Sequence, residues 1–227
     1  MAAPDPVSTP PDPTPSDPTP PDPSVNTGAW GNGSGGPMPI LLDLTGHGIN
    51  ITELNRSSTF MDATGSGLSN RTAWAGAGTA VLFFDPNSLN KIIDRNQYIF
   101  TQWDPTATSD MQALRDVFDS NGDGVFDMND AKWASFKLML TNAQAQLRLR
   151  SLHSFNKVTT TGETLDQADI MSINLEADTT HVNFTDGSSV NGQTKFTRKD
   201  GTTGTVASVT LLSDAANDNA WGTRWVA

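Results

Sequence analysis

The stretch DSNGDGVFDMND, residues 119–130, constrains the fold of this chain more than any other segment. Oxygen-bearing side chains stand at its positions 1, 3, 5, 9 and 12, and a glycine occupies position 6, where such a loop turns sharply. Calcium takes about six to eight hard oxygen ligands, and alternate residues of a tight loop converge on one point. The spacing therefore predicts an EF-hand-type calcium (Ca²⁺) loop whose ligands are the side chains, and at Val125 the backbone carbonyl, of Asp119, Asn121, Asp123, Val125, Asp127 and Asp130.

The last ligand position departs from the usual pattern. A bidentate glutamate normally stands there, whereas this chain has Asp130, which is one methylene shorter. We expect a weaker calcium site that tolerates magnesium better. The alternative is an Asp/Asn/Gly-rich loop that binds no metal and caps the following helix through Asp127 or Asn129.

Apolar periodicity predicts helices on both sides of this loop. Residues 109–118 have Ser109 as a cap and place their apolar residues on one face, and residues 129–149 indicate a longer second helix. Strands are predicted over 40–44, 79–84, 172–175, 182–184, 193–198 and 205–211. The expected fold class is α+β, with an EF-hand-like helix-loop-helix centre flanked by β-rich segments.

The chain divides into three parts by composition. Residues 1–36 are rich in Pro and Gly, with Asp-Pro recurring, and bury almost nothing apolar, so we expect a disordered linker or arm. Residues 37–212 carry the predicted ordered module. Residues 213–227 form a polar tail that contains Trp221 and Trp225.

Charge and composition exclude several classes of function. The net charge of −11 makes nucleic acid a poor partner, since little here could neutralise phosphates. No apolar run approaches the ~18 residues of a membrane span, and the absence of cysteine excludes disulfides and thiolate metal sites.

The three histidines are scattered and no nucleophile motif is present, so no catalytic residue is predicted. Only three of the 25 acidic residues are glutamate, and this excess of aspartate is typical of turns, caps and calcium loops.

Three upstream segments repeat the rhythm of the calcium loop with weaker ligands. They begin at Asp43, Asp62 and Asp85, and threonine, serine, histidine or leucine stands where carboxylates would be needed. We interpret all three as structural turns.

Several segments together resemble a known family, the calcium-binding, self-processing-type module of RTX (repeats-in-toxin) secreted proteins, as in iron-regulated Frp-type proteins. The resemblance is carried, in the same order as in the family, by PILLDLTGHGI from Pro39, FMDATGSG from Phe60, Thr72-Ala73-Trp74, VLFFD ending at Asp85, the 119–130 loop and FTRKDGTTGTVASV from Phe196. It covers about residues 37–212. It implies a calcium-stabilised fold outside the cell.

The resemblance also implies calcium-dependent cleavage of an Asp-Pro bond just before the module, with the freed aspartyl group able to join a lysine. The matching position here is Met38-Pro39, and methionine has no carboxylate to attack the peptide carbonyl. A second calcium loop expected from the family is replaced by residues 140–158, which contain no carboxylate. We therefore expect a degenerate, non-enzymatic module.

Three hypotheses of function remain open from the sequence. The first is a non-enzymatic calcium-binding module of a secreted or surface protein. The second is a calcium-triggered module that cleaves an Asp-Pro bond of the arm, such as Asp22-Pro23. The third is a structural component of a surface or virion assembly, contacted through the Pro-rich arm and the Trp-bearing tail.

Overall fold

An antiparallel sheet of nine strands organises the part of the chain that the structure describes. The structure is a computed structural model, and it describes residues 37–63, 67–140 and 162–214. Eight strands form one path in the order β7-β10-β12-β13-β1-β6-β8-β9, and β11 pairs beside β12. The strands of this sheet are β1 Ile40–Asp43, β6 Thr79–Phe84, β7 Val125–Asp127, β8 Phe136–Leu140, β9 Gly162–Thr164, β10 Ile170–Asn174, β11 Val182–Asn183, β12 Ser189–Arg198 and β13 Thr203–Thr210.

Four short strands form two separate pairs, and the helical elements are few. The pairs are β2 Ile51–Thr52 with β5 Trp74–Ala75, and β3 Phe60–Met61 with β4 Asn70–Arg71. Among the described residues the one α-helix is α1, Asp110–Phe118. Short 3-10 turns cover Leu54–Arg56, Arg95–Gln97, Phe100–Gln102 and Trp133–Ser135.

Apolar layers cover both faces of the central strands. Ile40 and Leu42 of β1 lie in one core cluster, whereas Leu41 between them lies in the other. In β6, Leu82 lies in the first of these clusters and Val81 lies in the second. A strand buried on both faces is apolar at every position, which is why β1 and β6 are continuous apolar runs in the sequence.

The predicted EF-hand-like centre is wrong, and with it the α+β class, because the described chain is mostly β with one helix. The first predicted helix exists as α1, capped by Ser109, whose hydroxyl oxygen accepts the N–H of Gln112 at 3.1 Å. The second predicted helix is replaced by a 3-10 turn and by β8, which pairs with β6 in the register Leu82↔Leu138. The sequence FKLML of β8 is buried on both faces, so its apolar residues did not reveal the strand period of two.

The predicted strands on either side of the loop are confirmed. Residues 40–44 and 79–84 correspond to β1 and β6, and the four later predictions correspond to β10, β11, β12 and β13. The Pro-rich arm, residues 141–161 and all of the predicted tail beyond Asp214 lie outside the described residues.

The first residue of α1, Asp110, is a carboxylate that is wholly buried. Its Oδ1 accepts the backbone N–H of Thr101 at 2.8 Å, whereas its Oδ2 has no hydrogen-bond partner. Burial raises the pKa of Asp110 to about 7, and the hydrogen bonds from Thr101 and Phe100 offset only part of that effect. The folded protein therefore holds a proton on Asp110 at pH values where the unfolded chain has lost it.

We predict that this carboxyl group makes the free energy of unfolding fall as pH rises from about 4 to about 7. A raised pKa in the folded state means that the folded state binds more protons in this window, so ionisation opposes folding. A pKa difference of about three units between the folded and unfolded states corresponds to a loss of at most about 4 kcal/mol in the free energy of unfolding. Asp110→Asn should remove this dependence and be the more stable protein at pH 8, as measured by urea unfolding. Asp116→Asn, on an exposed side of the same helix, is the control, and equal pH profiles for wild type and Asp110→Asn would contradict the prediction.

Candidate functional site

Aromatic packing holds both ends of the 119–130 loop on the sheet. Phe118 ends α1, and its ring centroid lies 5.0 Å from that of Phe136 on β8. Phe126, at position 8 of the loop, lies 4.7 Å from the same ring. All three rings are buried. Both ends of the loop, at Phe118 and at Phe126, are therefore held against the side chain of Phe136.

The first half of the loop folds around its own carboxylates. Asp119 accepts the N–H of Gly122 on Oδ1 at 2.8 Å and the N–H of Gly124 on Oδ2 at 2.9 Å. Both glycines have φ above +70°, a conformation that residues with a Cβ rarely adopt. Asp123 accepts the N–H of Val125 on Oδ1 at 2.9 Å, and Asn121 donates from its amide to the other oxygen of Asp123, also at 2.9 Å.

The last predicted ligand, Asp130, closes the loop. Its Oδ1 accepts the N–H of Ser120 at 2.7 Å, and its Oδ2 accepts the N–H of Asp127 at 2.8 Å. The residue is 5% exposed, so these bonds are largely sheltered from water. Oδ1 also accepts the Ser120 hydroxyl at 3.2 Å and so uses both of its lone pairs, whereas Oδ2 accepts one N–H and keeps a second position.

The six predicted ligands share one loop but differ in access. Asn121 and Asp123 are exposed, Asp119, Val125 and Asp127 are half-buried, and Asp130 is buried. Within the described ranges, no group of three or more His, Cys, Asp and Glu side chains is gathered in a metal-binding cluster. The ligand prediction itself remains a prediction.

The turn made by Asp119 occurs four times among the described residues. In each case one carboxylate oxygen accepts the backbone N–H of the residue five positions on: Asp43 from Gly48 at 2.6 Å, Asp62 from Gly67 at 2.7 Å, Asp85 from Asn90 at 2.8 Å and Asp119 from Gly124 at 2.9 Å. The weaker repeats noted in the sequence are thus structural turns of one kind.

Asp43 is 1% exposed and receives four donors in its turn. Burial alone would raise the pKa of Asp43, but these hydrogen bonds outweigh burial and hold it below the usual range.

A buried ion pair was missed in the sequence. Lys137 of β8 places Nζ 2.7 Å from Oδ2 of Asp85 and 2.7 Å from Oδ1 of Asn90. Burial alone would raise the pKa of Asp85, but hydrogen bonds from Lys137, Asn90 and Leu89 hold it below its usual range. The available signal was a single lysine inside the apolar run FKLML, because a buried ammonium needs partners.

The sequence of this chain matches a described protein family. A family profile named the SPM domain matches residues 40–212, which is most of the chain. The chain belongs to the SPM domain family. This SPM domain is also 27% identical over 184 residues to the iron-regulated protein FrpA of Neisseria meningitidis serogroup C. That alignment covers 78% of this chain and 15% of the relative, so the chain spans a small part of the curated protein that it matches.

The match supports the Frp-type resemblance and relates this SPM domain to an iron-regulated protein of the Frp type. Across the described ranges, no helix has the length and apolar character needed to cross a membrane.

We predict that Asp130 and Asp123 contribute very differently to stability when no metal is present. Asp130→Ala leaves two backbone N–H groups without their buried acceptor, which should lower the free energy of unfolding by about 2 kcal/mol. Asp123→Ala removes an exposed acceptor that water replaces, and should cost less than about 1 kcal/mol. Urea unfolding in EDTA measures both. Equal losses would show that Asp130 does not close the loop.

Proposed function

We propose that this SPM domain is a non-enzymatic calcium-binding module of a secreted or surface protein, and that calcium stabilises its fold outside the cell. The observation that carries the proposal is the 119–130 loop, whose backbone is arranged by its own carboxylates while Phe118 and Phe126 fix its ends. The relationship to an Frp-type protein supports the secreted setting.

The donor set suits a hard cation. Asp119, Asp123, Asp127 and Asp130 are four carboxylates within twelve residues, and no Lys, Arg, His or thiol interrupts them. Bringing these charges into one loop is unfavourable unless a cation or solvent compensates them. Oxygen ligands alone favour calcium or magnesium over zinc or copper.

The loop does not need a second helix for this role. Asp119 directly follows α1, Val125 to Asp127 form β7, and β7 is paired with β10 in the register Phe126↔Ile173. The N–H of Leu175 also donates to the carbonyl of Gly124 at 3.0 Å. A cation held by Asp119, Asn121, Asp123, the carbonyl of Val125 and Asp127 would thus join the helix to the edge of the sheet.

Binding to the folded state alone would stabilise it by mass action. At a free calcium concentration about 100 times Kd the gain is about 2.7 kcal/mol. A Ca²⁺ supply outside the cell would then favour the folded module after secretion. Because Asp130 is short and already bonded to Ser120 and Asp127, we expect a weak site with little preference over magnesium.

We predict that calcium raises the melting temperature of the metal-stripped full chain, and that Asp119→Ala combined with Asp123→Ala abolishes the rise. Differential scanning calorimetry in EDTA and in excess calcium measures the effect. Asp200→Ala is the matched control, because Asp200 accepts the N–H of Thr202, two positions on, at 2.9 Å, as Asp123 does with Val125, but lies outside the loop. An unchanged wild-type melting temperature, or an equal rise in the double variant, would refute the proposal.

The non-enzymatic part of the proposal rests on residue 38. Pro37 and Pro39 are held along β13, where their carbonyl oxygens accept the N–H groups of Leu211 at 2.9 Å and Val209 at 3.2 Å. Met38 lies between them and offers no carboxylate to attack its own backbone carbonyl, which forms the peptide bond to Pro39.

We predict that calcium leaves the intact mass of the full chain unchanged over hours at neutral pH. Electrospray mass spectrometry measures it, with EDTA as the control. A calcium-dependent fragment that begins at Pro23 or at Pro39 would contradict the prediction and favour the self-cleaving alternative.

A further inference from the structure

Lys137 sits in an environment that is unusual for a lysine. It lies in the middle of β8, opposite Phe83 of β6 and Thr164 of β9, and its side chain is 5% exposed. Its ammonium reaches two acceptors at 2.7 Å, the Asp85 carboxylate and the Asn90 side-chain carbonyl. Asp85 is 1% exposed. A buried amine therefore lies in hydrogen-bond contact with both an amide carbonyl and a carboxylate.

The position of Asn90 is unlike its counterparts in the other turns of this kind. The residue five positions after the aspartate is Gly48, Gly67 or Gly124 in three of the turns, each with φ between about +79° and +93°. Asn90 has φ +56°, so a residue with a side chain occupies a left-handed position. Asparagine tolerates that conformation better than most residues, but glycine is freer there. The side chain that replaces glycine is the one that contacts Lys137.

An ion pair alone would not need this amide. Asp85 already supplies the charge that neutralises Lys137, and its oxygens also accept the N–H groups of Leu89 at 2.9 Å and Asn90 at 2.8 Å. Contact with Nζ brings the side-chain carbonyl carbon of Asn90 within reach of a nitrogen nucleophile, a geometry that favours reaction between neighbouring groups.

We propose that Lys137 and Asn90 become joined by an intramolecular isopeptide bond, with Asp85 as the catalytic residue that carries the proton. Asp85 takes a proton from the Lys137 ammonium across the 2.7 Å contact between Nζ and Oδ2. The neutral Nζ then attacks Cγ of Asn90. Asp85 passes this proton to Nδ2 and takes the second proton that Nζ gives up. The Cγ–Nδ2 bond breaks, and the ammonia leaves with that second proton as ammonium. One C–N bond forms, one breaks, and nothing is oxidised or reduced.

The surroundings suit such a single-turnover reaction. Asn90 is exposed, so the leaving ammonia has a path to solvent. On the buried side, the backbone of Gly162 packs on Phe83 and on the Lys137 stem, and its N–H donates to the backbone carbonyl of Asn90 at 3.2 Å, which fixes the position of that residue. The acyl group comes from a side chain, so no peptide bond is broken and the step differs from Asp-Pro cleavage.

The crosslink would close the chain between residues 90 and 137. That segment contains α1 and the whole 119–130 loop. Covalent closure of a loop limits the freedom of the unfolded chain, as a disulfide does. The chain has no cysteine with which to form a disulfide, so this bond would be its means of covalent closure without thiol chemistry.

Intact mass of the folded full chain, measured after denaturation, tests the proposal. We expect the wild-type mass to be lower than the sequence mass by one ammonia. After trypsin digestion, the peptide that ends at Lys91 should remain joined to the peptide that contains Lys137. Succinimide formation at an Asn-Gly step also loses ammonia but leaves these two peptides separate. A full sequence mass, or an ammonia loss with separate peptides, would overturn the proposal.

Three variants test the roles of the residues. Lys137→Arg keeps the charge but removes the nucleophile, Asn90→Ala removes the acyl donor, and Asp85→Asn removes the proton carrier; each should show its full sequence mass. The control is Lys199→Arg, whose lysine lies 2.6 Å from Asp166 on the surface, and which should stay crosslinked. Circular dichroism verifies that each variant is folded. Ammonia loss with joined peptides in a folded Asn90→Ala variant would also overturn the assignment.

Discussion

A short carboxylate that turns the chain back on itself is the interaction on which much of this fold depends. In the described part of the chain, four aspartates accept the backbone N–H of the residue five positions on, and each ends an element or begins a loop. Glutamate carries one more methylene and would not hold its oxygen so close to its own backbone. This explains in physical terms why aspartate and not glutamate stands at these four positions, and why the spacing of a calcium loop recurs in segments that are only turns.

The same aspartate turn has a different role at Asp43, at Asp85 and at Asp119, and the surrounding residues decide which role it has. At Asp43 the carboxylate is buried and saturated by four donors from its own turn. At Asp85 it lies beside a buried lysine. At Asp119 it is followed by further carboxylates and stays partly open to solvent. Local geometry alone therefore does not distinguish a structural turn from a ligand loop; burial and neighbouring charge do.

Much of the sheet could be predicted from the sequence, whereas its centre could not. β1 and β6 are apolar runs bounded by turn residues, α1 has a clear cap, and β12 and β13 flank an Asp-Gly turn. β8 could not be distinguished from a helix, since a strand buried on both faces shows no alternation. The ligand loop was visible because its ligands are neighbours in sequence. The contacts of Lys137 with Asp85 and of Asp110 with Thr101 depend on tertiary packing, and only an isolated lysine in an apolar strand hinted at the first.

β8 connects the two sites of the molecule. Phe136 anchors the 119–130 loop through Phe118 and Phe126 in one core cluster, and the next residue, Lys137, extends from the strand in the opposite direction toward the 85–90 turn. Adjacent residues of a strand point to opposite faces, so a cation at the loop and a covalent bond at Lys137 would act on one strand without sharing contacts. Sites without shared partners contribute nearly additively to stability. Removal of the cation would therefore leave most of the stabilisation from the covalent bond in place. A module that stays folded without calcium could still be less stable than the calcium-bound module.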